Sequence, residues 1–138
     1  ILDTVKTQND IQKFLLDEIQ NILEVMAIRQ GDYWDVMKEH LHDKDAVIIL
    51  DPPYVDITRN GNCVDIYPKE FTKEQHIELI KRCNGATAPI LLCGYDCNLY
   101  QEYLTSENGW TKVFISNSNQ GANPKAEYVW CKNFKVEI

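Results

Sequence analysis

Glycine is scarce in this chain. There are six, and no two are separated by a single residue, so there is no G-x-G turn anywhere. Basic residues are also in deficit: 14 lysines and arginines face 21 acidic residues, for a net charge of −7. Binding to a phosphate backbone rests largely on lysine and arginine, so unaided nucleic-acid binding is not expected. No apolar run approaches the roughly 20 residues a membrane helix needs. The start has no basic and apolar signal segment, and a cytoplasmic location with no membrane contact is expected. Five cysteines (Cys63, Cys83, Cys93, Cys97 and Cys131) form no Cys-x-x-Cys pair and have no histidine at ligand spacing. Their odd number favours free thiols in a reducing compartment over disulfides, with a metal site as the weaker alternative. No metal is expected.

What the chain does have is Asp51-Pro52-Pro53-Tyr54. The run before it, Ala46 to Leu50, is wholly apolar and reads as a buried strand. Neither proline can donate to a sheet ladder, so the backbone must leave the sheet at Asp51. An acid, two rigid residues and an aromatic ring then stand at the carboxyl end of a strand, where open α/β sheets bind ligands. The set suits methylation of an amino group conjugated to a base ring. Such a nitrogen is a poor nucleophile because its lone pair is delocalised. Asp51 can accept from one N–H and the Pro52 carbonyl from the other, drawing the nitrogen toward a pyramidal geometry. Tyr54 offers a face for a flipped base. The plainer alternative is an Asp-Pro turn ending a strand, with Tyr54 in the core.

The tetrapeptide resembles the catalytic motif of amino-group methyltransferases that use S-adenosylmethionine. The surroundings resemble the Dam-type, adenine-specific DNA methyltransferases. They include Gly31-Asp32-Tyr33 after a short strand, a polar loop after the motif, a helix opening at Phe71 to His76, and Ala126-Glu127-Tyr128-Val129-Trp130 as a closing strand. The likeness runs from about Ile11 to Phe134. It implies Asp51, Pro52, Pro53 and Tyr54 as catalytic residues, and Asp32 and Asp51 near the cofactor. The family's glycine-rich strand, its second strand with a ribose-binding acid, and its DNA-reading insertion have no counterpart here. Starting on Ile1 and net acidic, the chain is expected to be the catalytic half of a larger or split enzyme. DNA would then be met through the intact enzyme, in a bacterial or phage restriction-modification setting. By itself the chain should be inactive. A ribosomal RNA base methyltransferase is the alternative, as is an inactive remnant serving as a binding module.

Along the chain, Asn9-Asp10 can cap a helix whose stripe, Ile11, Phe14, Leu15, Ile19, Ile22 and Leu23, reads as core packing. Val25 to Ile28 reads as a strand, and Tyr33 to Leu41 as a helix with Trp34, Met37 and Leu41 on one side. Residues 55–70 have no clear period. Arg59 and Lys69 are the cations there, and are candidates for phosphate contact. Thr72-x-x-Gln75 is a capping box opening a helix to about Cys83, ended by Asn84-Gly85. His76 reads as a packing or surface histidine rather than a base. Pro89 to Cys93 is a strand, Cys97 to Leu104 a helix with Asp96 as a possible cap, and 110–115 and 126–134 a closing antiparallel pair. The expected fold is one α/β domain with a partial Rossmann-like methyltransferase sheet, mostly parallel with a C-terminal hairpin. Within it, Val25 to Ile28 would pair directly with Ala46 to Leu50. Otherwise that strand stays an open edge for another molecule, as in a homodimer.

Overall fold

The computed structural model describes residues 8–57, 63–64, 71–118 and 125–134. The chain divides into two units, Ile1–Asp32 and Tyr33–Ile138. In the first, α1 spans Gln8–Val25. Asn9 and Asp10 therefore lie inside the helix and not at its cap. The apolar stripe is exposed, Phe14 at 63% and Ile22 at 55%. Within this unit the described residues give the stripe no core to pack into. The expected strand at Val25–Ile28 is also absent: the helix runs through Val25, and residues 26–30 are irregular. The β preference of Val and Ile is weak without a neighbouring strand to pack against, and no described strand pairs with this segment.

In the second unit α2 covers Tyr33–His40. Met37 is buried, and Trp34 and Leu41 pack against the same core, as the helical spacing predicts. The apolar run condenses to a three-residue strand, β1, at Ile48–Leu50. Two short strands, β2 (Asp56–Ile57) and β3 (Cys63–Val64), pair antiparallel by themselves. The helix α3 spans Lys73–Asn84 with the Thr72–Gln75 capping box formed and Gly85 at its C-cap. Then come β4 (Ile90–Tyr95), α4 (Asn98–Tyr103), β5 (Trp110–Ser118) and β6 (Lys125–Lys132). Cys97 occupies the N-cap of α4, while Asp96 pairs with Lys112 at 2.6 Å instead.

The four longer-range strands form one mixed sheet, ordered β1-β4-β6-β5. Only β1 with β4 is parallel; β4 with β6 and β5 with β6 are antiparallel. The mostly parallel arrangement expected from the sequence is therefore not found. The cause is where β6 goes. It runs antiparallel to β5 and lies between β5 and β4, so one reversed strand makes two antiparallel pairings. One face of β4 is fully covered: Ile90 and Leu92 are both 0% exposed. There Ile80, Leu79 and Cys83 of α3 and Leu99 and Tyr100 of α4 complete the core with Trp130. Asn133, with φ at +63°, ends β6, and its amide donates to the Ala86 and Ala88 carbonyls at 2.8 Å each. Asparagine tolerates that conformation better than most residues. Cys83, Cys93, Cys97 and Cys131 are free thiols.

β1 is an edge strand. Its direct pairing with residues 25–28 does not occur, and among the described residues its partner is β4. Val47 and Ile49 beside the open edge are 60% and 68% exposed.

Candidate active site

The Asp-Pro-Pro-Tyr turn is pinned at both ends. Before it, Ile48 donates from its backbone to the Pro89 carbonyl at 2.9 Å, and Leu50 pairs with Leu92 and packs on the core. After it, Val55 is buried at 7%. Between these anchors the chain bows outward. Asp51 and Pro53 are exposed, and Pro52 and Tyr54 are half-buried. The register of β1 on β4 carries residue 51 toward the end of β4, at Cys93-Gly94-Tyr95. Tyr54 meets Tyr95 edge to face, with ring centroids 4.7 Å apart and planes at 84°.

The electrostatics of this corner are negative. Burial pushes the Tyr54 hydroxyl up to about 12, reinforced by Asp51, then Cys93, Glu127 and Tyr95. The phenol is thus neutral across the working range, as a stacking surface should be. Burial also raises the Cys93 thiol, again with help from Asp51 and Glu127. Cys93 is therefore held as a thiol and is a poor nucleophile. Glu127 stands directly opposite Tyr95 in the β4–β6 register and accepts from the Ser116 hydroxyl at 3.4 Å. Lys125, two residues earlier on β6, holds its ammonium 5.0 Å from the Tyr95 ring centroid.

Asp51, Pro52, Pro53 and Tyr54 lie together in one open corner. Asp32 is exposed and belongs to the first unit. Arg59 and Lys69 lie outside the described residues. Tyr95, Glu127 and Lys125 were not singled out by sequence as site residues. Gly94-Tyr95-Asp96 at a strand's carboxyl end was a visible signal. Glu127 and Lys125 join the corner because β6 lies beside β4, which strand patterning alone does not reveal.

Neither the protein-family models nor the curated proteins give a match to this chain. The chemistry of the corner therefore rests on its own side chains. Among the described residues no cluster of His, Cys, Asp and Glu could hold a metal. No described helix is long and apolar enough to cross a membrane. Beside the open edge of β1 lies an apolar groove of about 460 Å³, bounded by α2 through Tyr33, Val36, Met37 and His40, and by residues 46–50. Its size is that of a small-molecule site. Its lining suits a flat apolar ring. It supplies no paired acid and base for a zwitterionic amino-acid tail.

Proposed function

We propose that this chain is the catalytic portion of an S-adenosylmethionine-dependent methyltransferase acting on the exocyclic amine of adenine in DNA. The observation that carries the reading is the corner itself: an exposed acid and a rigid Pro52 carbonyl beside the edge-to-face pair of Tyr54 and Tyr95. Asp51 and the Pro52 carbonyl would accept the two N–H bonds of a base amine, localising its lone pair on nitrogen. Tyr54 would stack on the extruded base, with Tyr95 holding that ring from its edge. Cys93 takes no covalent part. When bound, the cofactor supplies the electrophilic methyl group. The groove beside β1 would hold its adenine end, with Tyr33 at one wall. Residues for its methionine end are not among those described, so affinity for the cofactor in this chain alone is expected to be weak. A dissociation constant in the low micromolar range by calorimetry would contradict that expectation.

The deciding experiment uses the intact enzyme with methyl-labelled cofactor and adenine-containing DNA, reading the product nucleoside by mass spectrometry. N6-methyladenine should form. Asp51→Ala should abolish it, whereas Tyr54→Phe should be mild because the ring remains. Full activity of the Asp51→Ala enzyme, or methylation at a different base only, would overturn the reading.

A further inference from the structure

Two aromatic residues open α2, and one side chain of α3 reaches both. The Arg82 guanidinium carbon lies 4.2 Å from the ring centroid of Trp34 and 5.8 Å from that of Tyr33. One of its N–H groups donates to the Tyr33 hydroxyl at 3.1 Å. Another donates to Glu78, one turn earlier on α3, in a salt bridge. A planar guanidinium can do all of this at once, because its face stacks while its edge donates in a fixed fork. Phe71 also meets the Tyr33 ring, edge to face, with centroids 5.9 Å apart. Tyr33 needs such support. It is the first residue of α2, and residues 26–30 before it are irregular. It nevertheless lines the groove beside β1, and Val36, Met37 and His40 continue that wall at helical spacing.

We propose that Arg82 is a positioning residue for this groove: by holding the hydroxyl and ring of Tyr33, it sets the wall against which the adenine ring of the cofactor packs. This rests on the methyltransferase reading, and extends it to a residue that acts through Tyr33 rather than on the cofactor. A guanidinium that only tied α2 to α3 would stabilise the fold and leave the affinity of the folded groove unchanged. One that places Tyr33 changes the affinity too, because a wall residue left free to turn must lose rotamer freedom when a ring binds against it.

The test titrates the full chain with adenosine, the ring-bearing end of the cofactor, and follows residues 33–40 and 46–50 by heteronuclear NMR. The temperature is one at which far-UV circular dichroism shows every variant folded. Wild type should bind with about millimolar affinity and shift both segments. Tyr33→Phe keeps the ring but loses the acceptor, and Arg82→Lys keeps the charge but loses the fork. Each should weaken binding about three- to tenfold, the size of one aromatic or cation–π contact. The double variant should bind no more weakly than the weaker single, since both changes remove the same support. Lys81→Gln, which removes the neighbouring cation of α3, should leave the affinity unchanged. If Arg82→Lys does not fold, Tyr33→Phe decides by the same criterion. Unchanged affinity in these variants, even with lowered stability, overturns the Arg82 inference and leaves the methyltransferase reading intact. A wild-type chain that shifts neither segment overturns the Arg82 inference together with the groove assignment, while the methyl-transfer assay still judges the corner at Asp51.

Discussion

Gly94 is the position at which the sheet and the candidate site can be separated experimentally. It lies on the covered face of β4, one residue before Tyr95. A Cβ at this position would sit 2.6 Å from Cε2 of Tyr100, with the ring's Cζ and hydroxyl both at 3.5 Å. Contacts that short do not persist, so something must move. The Tyr100 ring is poorly placed to do so. It is 1% exposed, meets Trp130 edge to face at 4.9 Å, and its hydroxyl lies 3.1 Å from Nδ1 of the buried His76. His76 is itself held edge to face by Phe71 at 4.8 Å. Displacing Tyr100 therefore disturbs a run of four rings, and overpacking of this kind costs about 1–3 kcal/mol. For a unit of this size that is a fall in midpoint temperature of several degrees.

Urea denaturation followed by circular dichroism gives the cost of Gly94→Ala directly. A double-mutant cycle with Tyr100→Leu identifies its source, because the methyl group then meets a smaller, more flexible side chain. The coupling between the two changes should be about 1–2 kcal/mol, with Gly94→Ala nearly harmless in the Tyr100→Leu background. A Gly94→Ala protein as stable as wild type, or one equally destabilised in both backgrounds, would refute the packing argument.

Further outcomes follow from other parts of the fold. Thr72→Ala removes the hydroxyl that accepts from the Gln75 backbone at 3.3 Å, and the reciprocal bond from Thr72 N–H to Gln75 at 2.7 Å loses its frame. The expected loss is about 1 kcal/mol by chemical denaturation, and no loss would show that the cap contributes nothing. Burial pushes the Cys83 thiol from 9.0 up to about 12, so above pH 9 the unfolded chain gives up a proton that the folded chain keeps. Stability should then fall with rising pH between about 9 and 12, by at most about 1.4 kcal/mol per pH unit from this group. Cys83→Ala should flatten that decline relative to wild type, and parallel pH profiles would contradict it.

The covered half of the molecule was legible because its patterns are local. The capping box at Thr72 and Gln75, the Asn84-Gly85 stop and the Trp34–Met37–Leu41 stripe each operate within a turn or two of helix, and each is found as expected. The strand at residues 25–28 was not, because three or four β-branched and apolar residues look alike whether they finish a helix or start a strand. Only a partner decides between these, and no described strand pairs there. The stripe of α1 misled for a related reason. Amphipathic spacing says that a helix could bury one side, not that its own unit supplies the surface to bury it on. The site divided in the same way. The contiguous Asp51 to Tyr54 could be read directly, whereas Tyr95, Glu127 and Lys125 meet it only through the β1-β4-β6 order.

That order places the candidate site on the least supported strand of the sheet. β1 has three residues and, among the described residues, a ladder on one side only, so its alignment rests on the pairing of Ile48, Ile49 and Leu50 with β4. An edge of this kind would ordinarily make a poor platform, since productive geometry must be held to a fraction of an ångström. The two prolines compensate in part. Pro52 and Pro53 have no N–H groups to leave unpaired as the chain crosses out of the sheet, and their rings restrict φ over the stretch where no ladder can. Leu50 in the core before them and Val55 buried after them close the span at both ends. Replacing Pro53 by glycine would relax that span without touching Asp51 or Tyr54, and in the intact enzyme the expected result is a lower kcat at unchanged fold. Pro52 is the more sensitive position, because its carbonyl is the proposed second acceptor for the base amine. On the proposed reading the motif's rigidity is part of its chemistry: on an open edge, the prolines take over the alignment that a second neighbouring strand would otherwise provide.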